Sequence, residues 1–98
     1  MRLPILCYHK VGTEAEEGRR LNIAPERLRE HVRYFARRGY RFLRACDLAE
    51  PWPSRTVCLT FDDAYASTLQ NGVPVLQAEG ATASIYAVTE LVGQASTW

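Results

Sequence analysis

The sequence has few of the side chains from which disulfide frameworks and metal sites are usually built. It contains two histidines and three cysteines, and the cysteines show no Cys-x-x-Cys spacing. An odd, widely spaced set indicates neither a disulfide framework nor a zinc knuckle. A free thiol within an apolar strand behaves as a small hydrophobic group. We therefore expect Cys7 and Cys58 to be buried in strands, in a protein from a reducing compartment.

Long apolar segments are also missing. No run is long enough for a transmembrane helix, and the apolar residues near Met1 are too few for a secretory signal. The localisation is unknown, and without a signal peptide the default expectation is cytoplasmic. The chain has 98 residues, 47% of them apolar and 23% charged, without repeats or low-complexity segments. This composition is typical of a globular chain, and we expect one domain over residues 1–98.

The two charge signs are unevenly distributed. Residues 1–44 contain eleven Lys/Arg and five Asp/Glu, a net charge of +6, whereas residues 45–98 contain one Arg and six Asp/Glu, a net charge of −5. Many of the basic residues lie in one predicted helix, where they form a solvated face without interleaved aromatic residues. Nucleic-acid binding is therefore not expected.

Strand and helix patterns alternate along the chain. Proline at the first position, glycine after the last turn and an apolar stripe at i, i+4 and i+7 mark the longest helix. Such alternation predicts parallel strands, with all their C-terminal ends on one rim of the sheet. The predicted strands are Leu3–Tyr8, Tyr40–Leu43, Thr56–Phe61 and Thr82–Val88. The predicted helices are Pro25–Arg38 and Tyr65–Glu79, the second with a break or kink near Gly72. Ala45–Glu50 is predicted as one or two helical turns before the turn Pro51–Pro53, and Lys10–Asn22 as a loop.

An acidic pair, Asp62 and Asp63, directly follows the apolar run Thr56–Phe61. A strand of that composition is buried on both faces, and its C-terminal end is where parallel α/β folds place their active sites. Two adjacent carboxylates repel unless a cation, a shared proton or solvent compensates them. The pair therefore indicates a metal site with a base beside it, or alternatively a solvated strand-to-helix turn.

The sequence segments around the acidic pair resemble those of the polysaccharide deacetylases, the NodB-homology domain of carbohydrate esterase family four. The segment Thr60-Phe61-Asp62-Asp63-Ala64 is similar to that family's Thr-Phe-Asp-Asp-Gly signature, with alanine in place of the usual glycine. Other segments follow in the family's order, so that the resemblance covers nearly the whole chain. They are Leu6-Cys7-Tyr8-His9-Lys10-Val11, Pro25-Glu26-Arg27-Leu28, Arg38-Gly39-Tyr40, Pro74-Val75-Leu76 and Gly80-Ala81-Thr82-Ala83-Ser84-Ile85-Tyr86.

The resemblance implies a fold and a reaction. The fold is α/β, a partial (β/α) barrel of the deacetylase type with alternating parallel strands and helices, incomplete at the C-terminal side. The reaction is metal-dependent hydrolysis of the carbon–nitrogen bond that joins an acetyl group to an amino-sugar polymer. Asp62 would be the catalytic base and Asp63 a ligand of the divalent metal, with zinc as the expected ion. Family members often act outside the cell membrane.

The family's remaining metal ligands are two histidines of a His-x-x-x-His signature, which would lie beyond Trp98. Neither His9 nor His31 belongs to such a motif, so this chain alone is expected to bind no metal tightly and to be inactive. His9 follows the first strand and is expected on the same rim as the acidic pair, where it would orient a carboxylate, line a sugar pocket or cap a turn. Tyr65 is a further candidate substrate contact, and Tyr8 is expected in the core.

Two other functions remain open at this point. One is a non-catalytic module with a degenerate deacetylase fold, which binds a glycan or a partner protein through an exposed sheet edge. The other is a doubly wound signalling domain that binds magnesium, although its acidic pair would be expected after the first strand. Open sheet edges also predict self-association, or association with a complementing segment.

Overall fold

The fold is a small parallel sheet with helices packed on one face. The computed structural model describes residues 3–49 and 54–87. The strands are β1 (Ile5–Tyr8), β2 (Lys10–Val11), β3 (Asn22–Ile23), β4 (Arg41–Phe42), β5 (Thr56–Asp62) and β6 (Ser84–Tyr86). The helices are α1 (Glu14–Glu17), α2 (Pro25–Arg37) and α3 (Val73–Glu79), with a 3₁₀ turn at Ala45–Asp47 and a π-helical turn at Thr68–Gly72.

Strand β5 is the centre of the main sheet. β1 pairs with it from Ile5 opposite Cys58 to Tyr8 opposite Phe61. β4 pairs with its first two residues and β6 with its last three. Every pairing is parallel, as the alternation of strands and helices predicted. Within residues 3–49 and 54–87 the sheet does not close, so the described part of the chain is a partial α/β fold without a closed barrel.

The hydrophobic core lies between β5 and the helices. Leu59 and Phe61 of β5 are fully buried, together with Leu28 and Val32 of α2. Leu28 and Val32 belong to the predicted apolar stripe, and Phe35, the third member, packs partly buried against the same cluster. The amphipathic pattern of α2 therefore selects the helix face that covers the sheet.

The ends of α2 follow the sequence signals. Pro25 occupies the first turn, and Gly39 follows the helix with φ of +77°, a backbone region that favours glycine. The basic face is only partly a solvated surface, because Arg33 Nε lies 2.9 Å from Glu79 Oε1 of α3 and Arg29 Nε lies 3.5 Å from the same oxygen. No helix in the described part of the chain is long and apolar enough to cross a lipid bilayer.

The predicted loop from Lys10 to Asn22 is wrong, because it contains β2, α1 and the first residue of β3. Val11 is fully buried and β2 pairs with β3 in parallel. Thr13 caps α1, since its Oγ1 accepts a hydrogen bond from the Glu16 backbone N–H at 3.2 Å. Each element is only two to four residues long, too short for a periodic sequence signal.

The predicted break or kink near Gly72 takes the form of a π-helical turn, through which the helix continues into α3. The Val73 N–H donates to the carbonyl of Thr68, five residues earlier. Pro74 has no N–H to donate, and the wider turn accommodates it without ending the helix. The fourth predicted strand begins at Ser84, because Thr82 Oγ1 instead donates to the Phe42 carbonyl at 2.9 Å. Glu50, the turn Pro51–Pro53 and Val88 lie outside the described residues.

Candidate functional site

The site lies where β1 and β5 end side by side. The parallel register places Cys7 opposite Thr60 and Tyr8 opposite Phe61, so one step further along His9 lies beside Asp62. Side chains alternate between the two faces of a strand. Tyr8 therefore points into the core, whereas the residues before and after it point to the opposite face, where Asp62 also lies.

Asp62 is the centre of the resulting contacts. Its Oδ2 accepts a hydrogen bond from the Cys7 thiol at 3.3 Å and lies 3.7 Å from His9 Nε2. The Asp62 side chain is 41% exposed and that of His9 is 23% exposed, so both remain open to solvent. Desolvation, followed by the bond to Asp62, raises the pKa of the Cys7 thiol. At neutral pH the thiol is therefore protonated and can donate to the carboxylate.

Three side chains from the helix after β5 fix the backbone around His9. Thr68 Oγ1 donates to the His9 carbonyl at 2.8 Å, and Asn71 Nδ2 donates to the Val11 carbonyl at 2.8 Å. Ser67 Oγ accepts the Val11 N–H at 3.2 Å. Two of these residues lie in the π-helical turn, a type of irregularity that is frequent at functional sites. The helix therefore helps to fix the position of the His9 imidazole after the end of β1.

The turn after Asp62 has a left-handed backbone. The φ angles are +71° at Asp63 and +48° at Ala64. Aspartate tolerates this region better than most residues, whereas alanine pays a steric cost there that glycine avoids. The substitution of alanine for the usual glycine of the signature therefore falls at a position where the backbone favours glycine.

A shallow cleft of about 350 Å³ opens beside the site. Cys7, His9 and Lys10 line one side and β3 residues, with Leu21, line the other. The Lys10 ammonium donates to the Glu17 carbonyl and lies 5.9 Å from the centroid of the Tyr65 ring. Tyr65 is partly buried near the mouth of the site. The cleft is open enough to admit a ligand from solvent.

The structure brings together some of the predicted site residues and adds one. His9 and Asp62 meet as the parallel register predicted. The expectation that Cys7 is buried is wrong, because this thiol is exposed and bonded to Asp62, whereas Cys58 is buried as expected. Cys7 and His9 flank the core residue Tyr8 and therefore point to the opposite face. This pattern in the sequence could have identified the thiol as a site residue.

His31 lies apart from this cluster, on the flank of α2. Its Nδ1 is 2.8 Å from the Tyr8 hydroxyl, and Tyr8 is 8% exposed and stacked on Phe61. Burial raises the pKa of Tyr8 to about 12. Tyr8 is therefore a core residue, as expected, but its hydroxyl contacts an imidazole.

The described residues do not by themselves provide the metal site that the resemblance implies. A catalytic zinc usually has three protein ligands and an open position. The resemblance assigns one of these roles to Asp63, yet Asp63 belongs to no cluster of three potential ligands within residues 3–49 and 54–87. The cluster found there consists of Cys7, His9 and Asp62.

Comparison with known proteins identifies the family. The model of the polysaccharide deacetylase family matches residues 49–97, which is half of the chain and includes Asp62 and Asp63. The chain belongs to the polysaccharide deacetylase family. The match agrees with the resemblance given by the sequence motifs.

Relatives among curated sequences extend the similarity over most of the chain. YxkH of Bacillus subtilis (strain 168) is 29% identical over 98 residues, covering 94% of this chain and 34% of that protein. The poly-beta-1,6-N-acetyl-D-glucosamine N-deacetylase of Escherichia coli (strain K12) is 32% identical over 79 residues, covering 74% of this chain and 12% of that enzyme. The chain therefore spans about a third or less of these relatives.

Solved deacetylase structures share the fold. IcaB from Ammonifex degensii superimposes with a TM-score of 0.83 at 26% identity, covering 97% of this chain and 42% of that one. The Streptococcus pyogenes deacetylase PplD, in complex with acetate, gives a TM-score of 0.79 at 24% identity, covering 99% of this chain and 47% of that one. These likenesses confirm the predicted deacetylase type of α/β fold.

Proposed function

We propose that this chain carries the general base and one metal ligand of a deacetylase that hydrolyses N-acetyl groups on amino-sugar polymers. The observation that carries the proposal is the position of Asp62. It ends the central strand of a deacetylase-type sheet, is accessible to solvent and lies 3.7 Å from an imidazole nitrogen. The name of the Escherichia coli relative, an N-deacetylase of a glucosamine polymer, supports the substrate class.

In this proposal Asp62 accepts a proton from the water that attacks the acetyl carbonyl. A carboxylate can do so when it lies within hydrogen-bonding reach of that water. The Cys7 thiol donates to one carboxylate oxygen and the His9 imidazole lies 3.7 Å from the same atom, which leaves the other oxygen available to the water. Tyr65, whose ring centroid lies 5.9 Å from the Lys10 ammonium, is proposed to contact a sugar ring.

Asp63 is proposed as the ligand for a divalent metal, with zinc as the expected ion. When bound, such a metal polarises the carbonyl and lowers the pKa of its water. The histidine pair that would join Asp63 is not among the residues of this chain. We therefore expect the 98-residue chain alone to release no acetate from an N-acetylglucosamine oligomer when zinc is added.

The first measurement is the intact mass of the native product, together with the coding sequence after the Trp98 codon. If the frame continues and encodes two histidines four positions apart, the longer protein is assayed for acetate release. Asp62→Asn should lower kcat by roughly 10²-fold to 10⁴-fold, because a positioned base contributes about that much. Asp47→Asn is the matched control. This exposed carboxylate accepts a hydrogen bond from Arg44 Nε at 2.8 Å and does not belong to the cluster around Asp62.

Three outcomes decide between the functions. Loss of turnover in the Asp62 variant alone supports the proposal. Zinc-dependent turnover by the 98-residue chain would overturn the expectation that this chain is inactive. Oligomer binding by the longer protein, without turnover and without metal dependence, would favour the non-catalytic module.

Self-association is a further expectation. β1 carries the exposed Ile5 and β6 the exposed Ile85 and Tyr86, and exposed apolar residues on strands invite pairing with a second chain. Light scattering at increasing protein concentration tests this point, and a monodisperse monomer at all concentrations would contradict it.

A further inference from the structure

We propose that Cys7, His9 and Asp62 form a binding site for a zinc-like divalent cation. One potential ligand atom from each residue lies within 4.8 Å of the other two. The set combines a thiol, an imidazole and a carboxylate, the three side-chain types that bind zinc in proteins. It shares no residue with the metal role that the resemblance gives to Asp63.

The distances between the donor atoms suit a single small cation. With zinc bonds of about 2.0–2.3 Å, the ligand atoms of a tetrahedral site are about 3.3–3.6 Å apart. The observed separations are 3.3 Å between Cys7 Sγ and Asp62 Oδ2, and 3.7 Å between His9 Nε2 and the same oxygen. The sulfur and the imidazole nitrogen lie within 4.8 Å of one another, so a bound cation would have to draw these two atoms closer together.

The backbone holds two of the ligands in place before any cation binds. Cys7 lies within a strand that pairs with β5 along its whole length, and Asp62 is the last residue of β5. The carbonyl of His9 is fixed by the Thr68 hydroxyl. Because two of the three donors lie on strands that are already paired, cation binding requires little loss of backbone freedom.

The surroundings leave the site available. Lys10, the nearest basic residue in sequence, directs its ammonium to the Glu17 carbonyl. Cys7 and His9 line the open cleft, so that water can supply a fourth ligand. On binding, the thiol proton passes to solvent and the sulfur binds as the thiolate.

The test uses the 98-residue chain under reducing conditions, with Co²⁺ as a spectroscopic substitute for Zn²⁺. We expect a thiolate-to-cobalt charge-transfer absorption, which Zn²⁺ displaces. Cys7→Ser should abolish this absorption and weaken Zn²⁺ binding by at least tenfold in calorimetry. Cys46→Ser is the matched control, because Cys46 is also exposed and also lies near a carboxylate, with its sulfur 3.9 Å from Asp47 Oδ1.

A second measurement needs no variant and therefore does not depend on how a variant folds. Zn²⁺ should protect Cys7 of the unaltered chain from alkylation, whereas Cys46 should react at the same rate with and without the cation. Equal protection of both thiols, or binding and absorption unchanged in Cys7→Ser, would overturn the proposal. Neither measurement requires deacetylase turnover, so each result stands apart from the proposed function.

Discussion

The two faces of β5 differ in composition and in what they contact. One face packs against Leu28 and Val32 of α2 and contributes only to the core. The other face is also buried over most of the strand but is polar at most positions, and it ends in a carboxylate that is 41% exposed. The apolar core contacts lie on one face and the candidate chemistry at the end of the other, so substitutions on the two faces should have separable effects. The core face consists of Val57, Leu59 and Phe61, and the opposite face of Thr56, Cys58, Thr60 and Asp62.

The largest expected effect comes from the core face. Leu59→Ala removes a fully buried side chain and should lower the free energy of unfolding by about 2–5 kcal/mol. Its neighbour on the opposite face gives the matched control. Thr60→Val replaces with a methyl group the hydroxyl that donates to the Leu6 carbonyl at 3.1 Å, and should cost about 1 kcal/mol. Urea titration measures both values, and equal losses would contradict the division between the faces.

An intermediate effect is expected at high pH, from the core residue Tyr8. Its pKa in the folded protein is raised from 10.0 to about 12 by burial. The folded state therefore holds the phenolic proton more tightly than the unfolded state. This contribution is constant below pH 10 and is lost between about pH 10 and pH 12, at up to about 1.4 kcal/mol for each pH unit.

Tyr8→Phe separates this contribution from the other groups that titrate in the same range. The variant should lose part of the decrease in stability from pH 10 to 12, as followed by urea titration at each pH. An identical pH dependence in the variant and the parent chain would show that the Tyr8 hydroxyl ionises without a penalty from the core.

The smallest effect is expected in the turn that ends the polar face. Ala64 has φ of +48°, a conformation that costs alanine about 1–2 kcal/mol. Ala64→Gly removes this strain but makes the unfolded chain more flexible, so the net stabilisation should be about 0.5 kcal/mol.

Gly80 provides the reverse substitution. It has φ of +68°, and an added Cβ would meet no atom within 4 Å, so that only the backbone conformation is tested. Gly80→Ala should destabilise the chain by about 1 kcal/mol. Thermal unfolding measures both variants, and a destabilised Ala64→Gly variant would show that the turn does not strain alanine.

The sequence predicted the long elements, because they follow from hydrophobic periodicity. It also predicted that His9 lies beside Asp62, because this follows from parallel strand pairing. It did not predict β2 and β3, which are two residues long: β2 is held by side chains from a distant helix, and β3 pairs with β2. It placed Cys7 in the core because an apolar strand was assumed to be buried on both faces. Side chains alternate along a strand, so Cys7 and His9 share the face opposite to Tyr8. Because Tyr8 was expected in the core, this alternation would have placed Cys7 outside it.

The contact between Cys7 and Asp62 joins residues 55 positions apart in the chain. β5 must therefore leave the ribosome before β1 can pair with it, and a loop of this length has to close before the contact forms. The segment that holds His9 depends further on Thr68 and Asn71. During synthesis the edges of the first strand therefore stay unpaired until the helix after β5 has emerged. A newly made chain is most prone to misassociation during this interval.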